Sequence, residues 1–326
     1  MTNDFEKQNA VEINEDELFH FIDHDIIASE KIIAPRYSYW KSVFRIFFKK
    51  KSSWIMIALF VIIIMSSLIV PIFCPYDPFE NLKNPETFHL SPVEAMKYFG
   101  GFSFKWILGT GGYGNSILFG VLSSARTSLL LAVICSAINM TLGIVIGAVW
   151  GYSRAVDAVL IVIFNIVSNV PFILVISVLV YIIGSGFWSF VFALTITGWL
   201  GIAFFFRTQV MIIRDREYTL ASRCLGTPIP RVVSRNILPF LTSVIVTILA
   251  TELPSYIGFE VFLSYIGVGL SADVPSLGRM IQEAQSAFLT YPWEFWSPVV
   301  IASAITIILY VLGQNLADAS DPRTHM

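Results

Sequence analysis

An all-α integral membrane protein with six transmembrane helices is what this 326-residue chain predicts. Composition is one reason: 56% of the residues are hydrophobic and 13% charged, with a mean hydropathy of +0.72, far too apolar for a soluble domain. The length of the apolar runs is the second. Six of them, at about 54–73, 126–150, 159–183, 187–206, 240–266 and 295–316, reach the ~20 residues a helix needs to cross a bilayer. Charge asymmetry is the third. Lys and Arg number eight before Trp54, one in the turn 151–158, six in the loop 207–239 and one after the last run. The alternate segments hold only Lys83, Lys97, Lys105, Arg279 and the boundary residue Arg126. The basic side faces the cytosol, so both termini are expected inside.

Residues 1–52 read as a cytosolic tail. Its first 30 residues are acidic, with nine Asp or Glu against the single Lys7. From Lys31 the sign flips. Trp40, Val43, Phe44 and Phe47 then share one helical face flanked by Lys41, Arg45 and Lys49 to Lys51. That pattern predicts a helix lying on the inner leaflet; the other reading is the charged end of the first span. The first apolar run starts near Trp54, too late for a signal peptide, so 53–73 reads as a true span.

Residues 74–125 read as an extracellular segment rich in Pro, Gly and aromatics. It contains Gly109-Thr-Gly-Gly-Tyr-Gly114, which matches GxGxxG. Without a preceding strand or a βαβ unit this is no dinucleotide site, and it is expected to be a flexible lead-in to the second span. That span carries Gly143 and Gly147, a spacing that lets helices approach closely. The third holds Asn165, Ser168, Asn169 and Pro171. Amides at membrane depth point inward, either joining helices or lining a path. The fifth holds Glu252, Pro254, Tyr256 and Glu260. Residues four apart drift only ~40° around a helix, so the two carboxylates and the tyrosine share a side. They are candidate path residues with Asn165 and Asn169; structural contacts between helices are the alternative.

The basic loop 207–239 organises the chain. Glu217 to Leu225 has the composition of a short helix. Gly226 stands where a helix stops, Pro228 and Pro230 forbid simple continuation, and a second helical piece, Arg231 to Leu238, leads into Pro239. A compact cytosolic knob presenting Ala221 and Ser222 is shaped to dock into another protein.

Several functions are excluded. No Gly-Lys dipeptide occurs, so there is no Walker A motif, and there is no nucleophile elbow or HExxH. Nothing here hydrolyses a nucleotide by a known motif. The three cysteines fall at an outer helix end, within a span and in the cytosolic loop, where they cannot pair. None of the four histidines lies in a span, and no basic-aromatic patch suggests nucleic acid.

The loop resembles the coupling motif of ATP-binding-cassette (ABC) importer permeases: Glu-Ala-Ala, three residues, Gly, nine residues, an apolar residue, any residue, Leu-Pro. Ala221, Ser222, Gly226, Leu238 and Pro239 fall on that pattern, with Leu220 at the Glu position and Asn236 at the late apolar one. Further similarity to the peptide-type group lies in Leu108-Gly109-Thr110 with Gly114, where Gly111, Asn115 and Ser116 replace charged positions. It continues in Glu260 to Gly269, in Pro275-Ser-Leu-Gly278, in Pro292-Trp293 and in the ending Asn315 to Arg323. The resemblance covers about Leu108 to Arg323. It implies the type I importer permease fold, with a core at 126–317 and a cytosolic C-terminus at 318–326. It also implies the role of second, C-type permease of an oligopeptide or dipeptide importer in a bacterial cell membrane. Glu217, Leu220, Ala221, Ser222, Gly226, Leu238 and Pro239 would then couple to the ATPase. The implied partners are a homologous permease, two cytosolic ATPases carrying ATP and magnesium, an extracellular peptide-binding protein and the lipid bilayer. No cofactor is expected on this chain. The alternatives are a nickel-type permease of the same class and a proton-coupled secondary transporter using Glu252 and Glu260.

Overall fold

The computed structural model describes residues 38–321, where helices make up nearly all of the regular structure. The acidic stretch 1–30 and Arg323 lie outside the described residues. The chain divides into two units, Met1–Ser42 and Val43–Met326. In the first, the backbone amide of Ser42 donates to the carbonyl of Ser38 at 3.1 Å. The second unit carries the helical bundle.

Lys50, with extended backbone (φ −77°, ψ 122°), separates α1 (Tyr39–Lys49) from α2 (Lys51–Phe73). The basic amphipathic piece is therefore a helix of its own and not the end of the first span. Val43 and Phe47 are buried, whereas Phe44 and Phe48 stay exposed. Lys50 Nζ donates to Asp318 Oδ2 at 2.7 Å, and Asn315 Nδ2 to Ser52 Oγ at 3.1 Å. The first span is thus tied to the far end of the chain.

The outer segment is a hydrogen-bonded cap. Its helix α3 (Pro92–Tyr98) opens with a capping box in which Ser91 Oγ accepts from the Glu94 amide and the Glu94 carboxylate accepts from the Ser91 amide. Ser91 Oγ also donates to Glu94 Oε2 at 2.7 Å, and that bond, with the one from the Ser91 amide, holds the Glu94 carboxyl below its usual range. Buried Thr110 Oγ1 accepts from Leu90 N at 2.8 Å and donates to Thr87 O at 2.7 Å. The expected flexible lead-in is instead a tight turn. Gly111 N donates to Asn115 O at 2.9 Å, and Gly109 and Gly114 adopt φ of +81° and +70°. A Cβ on Gly109 would stand 2.5 Å from Leu90 O, so both conformation and space require glycine there. No strand precedes this turn among the described residues.

The next helix, α4 (Ile117–Tyr152), starts well before the expected boundary at Arg126, because Ser116 Oγ caps it by accepting from Phe119 N at 3.3 Å. Along it runs α7 (Phe187–Arg214), seated on glycines. A Cβ on Gly143 would lie 2.5 Å from Ile202, and one on Gly147 or Gly151 would lie 2.6 Å from the carbonyl of Ala203 or Arg207. The Gly143–Gly147 spacing thus packs helices within the fold, and Gly151 extends it by a turn.

The third apolar run corrects a sequence expectation. Instead of one helix over 159–183, α5 (Arg154–Ser168) and α6 (Phe172–Ile183) meet at a 79° bend. Pro171 has no amide hydrogen to donate, and its ring pushes Val170 out of the helical region. The Val167 carbonyl, which an amide at 171 would have taken, accepts from Val170 N at 3.1 Å instead, and Asn169 Nδ2 donates to Asn165 O.

The inner loop folds as α8 (Glu217–Cys224) and α9 (Ile229–Val232), then a π-turn at Val233–Ile237 and a 3-10 turn at Leu238–Leu241. The expected second helical piece is therefore shorter and looser than an α-helix. Pro239 removes one ladder bond, and the backbone widens and then tightens to accommodate it. After these come α10 (Thr242–Tyr265), the short α11 (Leu277–Ala284) and α12 (Pro292–Ser320). His89 Nδ1 lies 2.7 Å from Glu294 Oε1, and its ring stacks on Tyr291 at 4.1 Å, which fastens the outer cap to α12.

Among the described residues five stretches are long and apolar enough to cross a bilayer: Lys51–Phe73, Ile117–Tyr152, Phe187–Arg214, Ile229–Tyr265 and Pro292–Ser320. The bent pair, counted as one crossing, makes six. The core has two parts. The outer one gathers Ile117, Leu131, Phe190, Tyr256, Leu263 and Leu277. The inner one joins Met140, Tyr152, Phe206 and Val210 to Val232, Val233 and Ile237 of the loop. The inner loop is therefore built into the bundle and does not hang from it.

Candidate coupling site and membrane path

The knob is small, rigid and exposed. Glu217 opens α8, where a carboxylate suits the positive end of the helix dipole. Thr219, fully buried, donates through Oγ1 to Ile213 O at 3.2 Å and anchors α8 to the end of α7. Arg214, also buried, donates from Nη1 to Gly151 O at 2.9 Å. Arg223 stands 5.6 Å over the ring of Tyr152. The sequence reading singled out none of these anchors. Their one available signal was a run of arginines longer than orientation requires.

Helix α8 ends in a Schellman motif. Thr227 N donates to Ser222 O at 3.1 Å and Gly226 N to Arg223 O at 2.9 Å, with Gly226 at φ +74°. A Cβ at Gly226 would meet no atom within 4 Å, so only backbone conformation demands glycine. The outer surface of the knob is apolar: Leu225 is 86% exposed and Phe240 62%, with Tyr218, Leu220, Ala221 and Ile229 exposed around them. Together they form an exposed apolar patch on a structured loop, the kind of surface that protein contacts use. Leu238 is half-buried against the inner core and Pro239 is exposed.

Ser222 and Asn236, the two positions where small and apolar residues are replaced, bond to each other: Asn236 Nδ2 donates to Ser222 Oγ at 2.6 Å. Ser222 Oγ in turn donates to Tyr218 O at 3.0 Å. The pair ties α8 to the π-turn. Ser222→Ala and Asn236→Ala are each expected to lower the unfolding midpoint, and the double variant to lose less than their sum, with a coupling of about 1 kcal/mol. Strict additivity would show the bond contributes nothing.

The four candidate path residues separate. Glu260 is completely buried. Its carboxylate accepts from Ser128 Oγ at 2.9 Å, Ser264 Oγ at 3.1 Å and Gly278 N at 3.4 Å, while Ser128 Oγ accepts from Leu277 N at 3.1 Å. One carboxylate thereby joins α4, α10 and the start of α11. Glu252 is half-buried. One turn on, buried Tyr256 accepts from Asn139 Nδ2, while Asn139 Oδ1 has no partner among the described residues. Asn139 was missed in the sequence, although an amide inside an apolar run is itself a signal. Asn165 and Asn169 are exposed at the bend, and no hydrogen bond links them to either glutamate among the described residues.

A multi-span helical bundle, with an exposed short helix in a loop that packs into its core, has the build of a membrane transport component. Residues 139–326 match the family described as binding-protein-dependent transport system inner membrane component, and the chain belongs to that family. Residues 38–92 match the N-terminal TM domain of oligopeptide transport permease C. The chain is similar to the oligopeptide transport system permease protein AmiD of Streptococcus pneumoniae, with 45% identity over 95% of this chain and 98% of that one. It is also similar to the oligopeptide transport system permease protein OppC of Bacillus subtilis, 29% identical over 90% and 93% of the two chains. The dipeptide transport system permease protein DppC of Lactococcus lactis is 27% identical over 91% and 94%. Members of this class are permease subunits and not enzymes themselves; they work with a partner permease, ATPases and a binding protein.

Proposed function

We propose that this chain is the C-type permease of an ATP-driven peptide importer in a bacterial plasma membrane, with both termini in the cytosol. It pairs with one homologous permease to enclose the path, and takes energy from two cytosolic ATPases and peptide from an extracellular binding protein. The exposed helix α8, held by Thr219 to the end of α7 and by Ser222 to a π-turn whose Val233 and Ile237 enter the inner core, is the observation that carries this reading. Similarity to oligopeptide and dipeptide permeases supports peptides as cargo, in place of nickel or a proton-driven cycle.

In this mechanism an ATPase holds Leu220, Ala221, Ser222 and Gly226. Closure of the ATPase pair on ATP drags the knob, and α4 and α7 move with it because the inner core leaves no slack. The path turns outward, receives peptide and resets on hydrolysis. Coupling of this kind needs contacts that differ between two states. Half-buried Glu252 supplies polarity to the path, while the buried pair Asn139–Tyr256 and buried Glu260 hold the helices around it together.

Affinity purification from mild detergent tests the assembly. Two ATPases and one homologous permease should co-purify. Peptide uptake should survive a proton uncoupler at constant ATP. Uptake in vesicles that contain this chain and no ATPase overturns the reading.

A further inference from the structure

Just past the inner end of α4 lies a cavity of about 460 Å³ where five elements converge, lined by Tyr152, Ser153, Arg154, Arg214 and Arg223 with Asp215 as its single carboxylate. Three guanidiniums against one carboxylate leave an excess of two positive charges. Arg214 is preset: it is more than nine-tenths buried, held by Gly151 O at 2.9 Å and by Asp215 at 3.2 Å. Among the described residues no carboxylate forms an ion pair with Arg154 or Arg223. Arg154 also opens α5, a 15-residue helix capped by Ser153, whose N-terminal dipole end favours an anion.

Orientation in the membrane asks only for positive charge inside; it does not ask for three guanidiniums around one hollow. The planar fork of arginine matches the oxygens of phosphate, and two or three forks around a small cavity are the arrangement that holds one. The level is also right. From Arg126 to Arg154 α4 carries no charge, so Arg154 marks the inner edge of the hydrocarbon, where lipid phosphates lie.

We infer that this cavity binds a phosphate group, and that the bound phosphate bridges Arg223 on the knob to Arg154 and Arg214 at the ends of the bundle helices. A lipid headgroup of the inner leaflet and a soluble phosphate share this chemistry. Binding stands on the cavity alone; its effect on transport rests on the coupling role proposed above.

The test uses the full chain, with inorganic phosphate titrated by calorimetry in detergent and with lipid retention read by native mass spectrometry. The lipid arms are phosphatidylglycerol and phosphatidylcholine. Wild type should bind phosphate saturably or retain phosphatidylglycerol over phosphatidylcholine. The Arg154→Gln/Arg223→Gln chain should do so roughly tenfold more weakly while staying folded, its unfolding midpoint falling by no more than Tyr152→Leu, which removes the Arg223–Tyr152 contact and keeps the guanidiniums, lowers it. Lipid retention assigns the phosphate to the membrane, and phosphate binding without it assigns a soluble source. Equal binding by wild type and double variant overturns the site, as does absence of both. Phosphate bound by the chain alone but expelled in the assembled importer also overturns it, because the arginines then belong to the ATPase interface. If Gly226→Val takes up peptide normally while phosphate binding persists, the coupling reading fails and this one stands.

Discussion

Gly226→Val is expected to leave the chain inserted and correctly folded in its bundle, yet to cut peptide uptake roughly tenfold or more. The position sits at φ +74°, and an added Cβ would meet none of the described atoms within 4 Å, so the cost of a side chain there falls on the backbone. An L-residue in the left-handed region costs about 1–2 kcal/mol, and a β-branched one more. The Schellman bonds from Thr227 and Gly226 hold the end of α8 only in that conformation. Relieving the strain therefore means opening the turn, which displaces Leu225 and loosens the surface the ATPase would grip. Gly226→Asn, which tolerates the left-handed region, should keep most of the activity. Uptake of a labelled peptide and ATPase rate in proteoliposomes of the assembled importer measure both variants. Normal uptake by the valine variant ends the docking role.

Glu260→Ala is expected to act on the fold instead. It removes the acceptor shared by Ser128, Ser264 and Gly278 and leaves a cavity at the junction of three helices. Buried donors without partners cost about 1–3 kcal/mol each, though hydroxyls recover part of this by rotating, and the cavity adds its own term. A loss of about 3–5 kcal/mol is the expected net, seen as a large drop in unfolding midpoint and in yield. Glu260→Gln keeps an acceptor oxygen and should recover a good part of it. Were Glu260 a proton carrier in the path, alanine would abolish uptake in a chain of normal stability. Unfolding midpoint and uptake measured side by side separate the two.

The membrane class, the apolar runs and the position of the knob were legible because they depend on residues close together in the chain. Length of an apolar run, a glycine after a short amphipathic stretch and a proline thirteen residues later are local facts. The bend between α5 and α6 was half legible: Pro171 was noticed, but a proline says that a helix is interrupted and not that its halves diverge by 79°. The glycine run 109–114 was misjudged as flexible because its order rests on bonds to distant residues, such as Thr110 to Thr87 O and His89 N to Gly111 O, which composition does not reveal.

By itself the sequence determined an all-helical membrane protein with a basic loop broken by glycine and proline, since hydrophobic length, charge bias and turn chemistry act over a few residues. Only the tertiary structure decided what the polar residues inside the bundle do. Glu260 meets Ser128 across 132 positions, and Asn139 meets Tyr256 across 117. Whether a buried carboxylate lines a passage or locks three helices depends on which distant donors the packing brings to it, and no local pattern encodes that meeting.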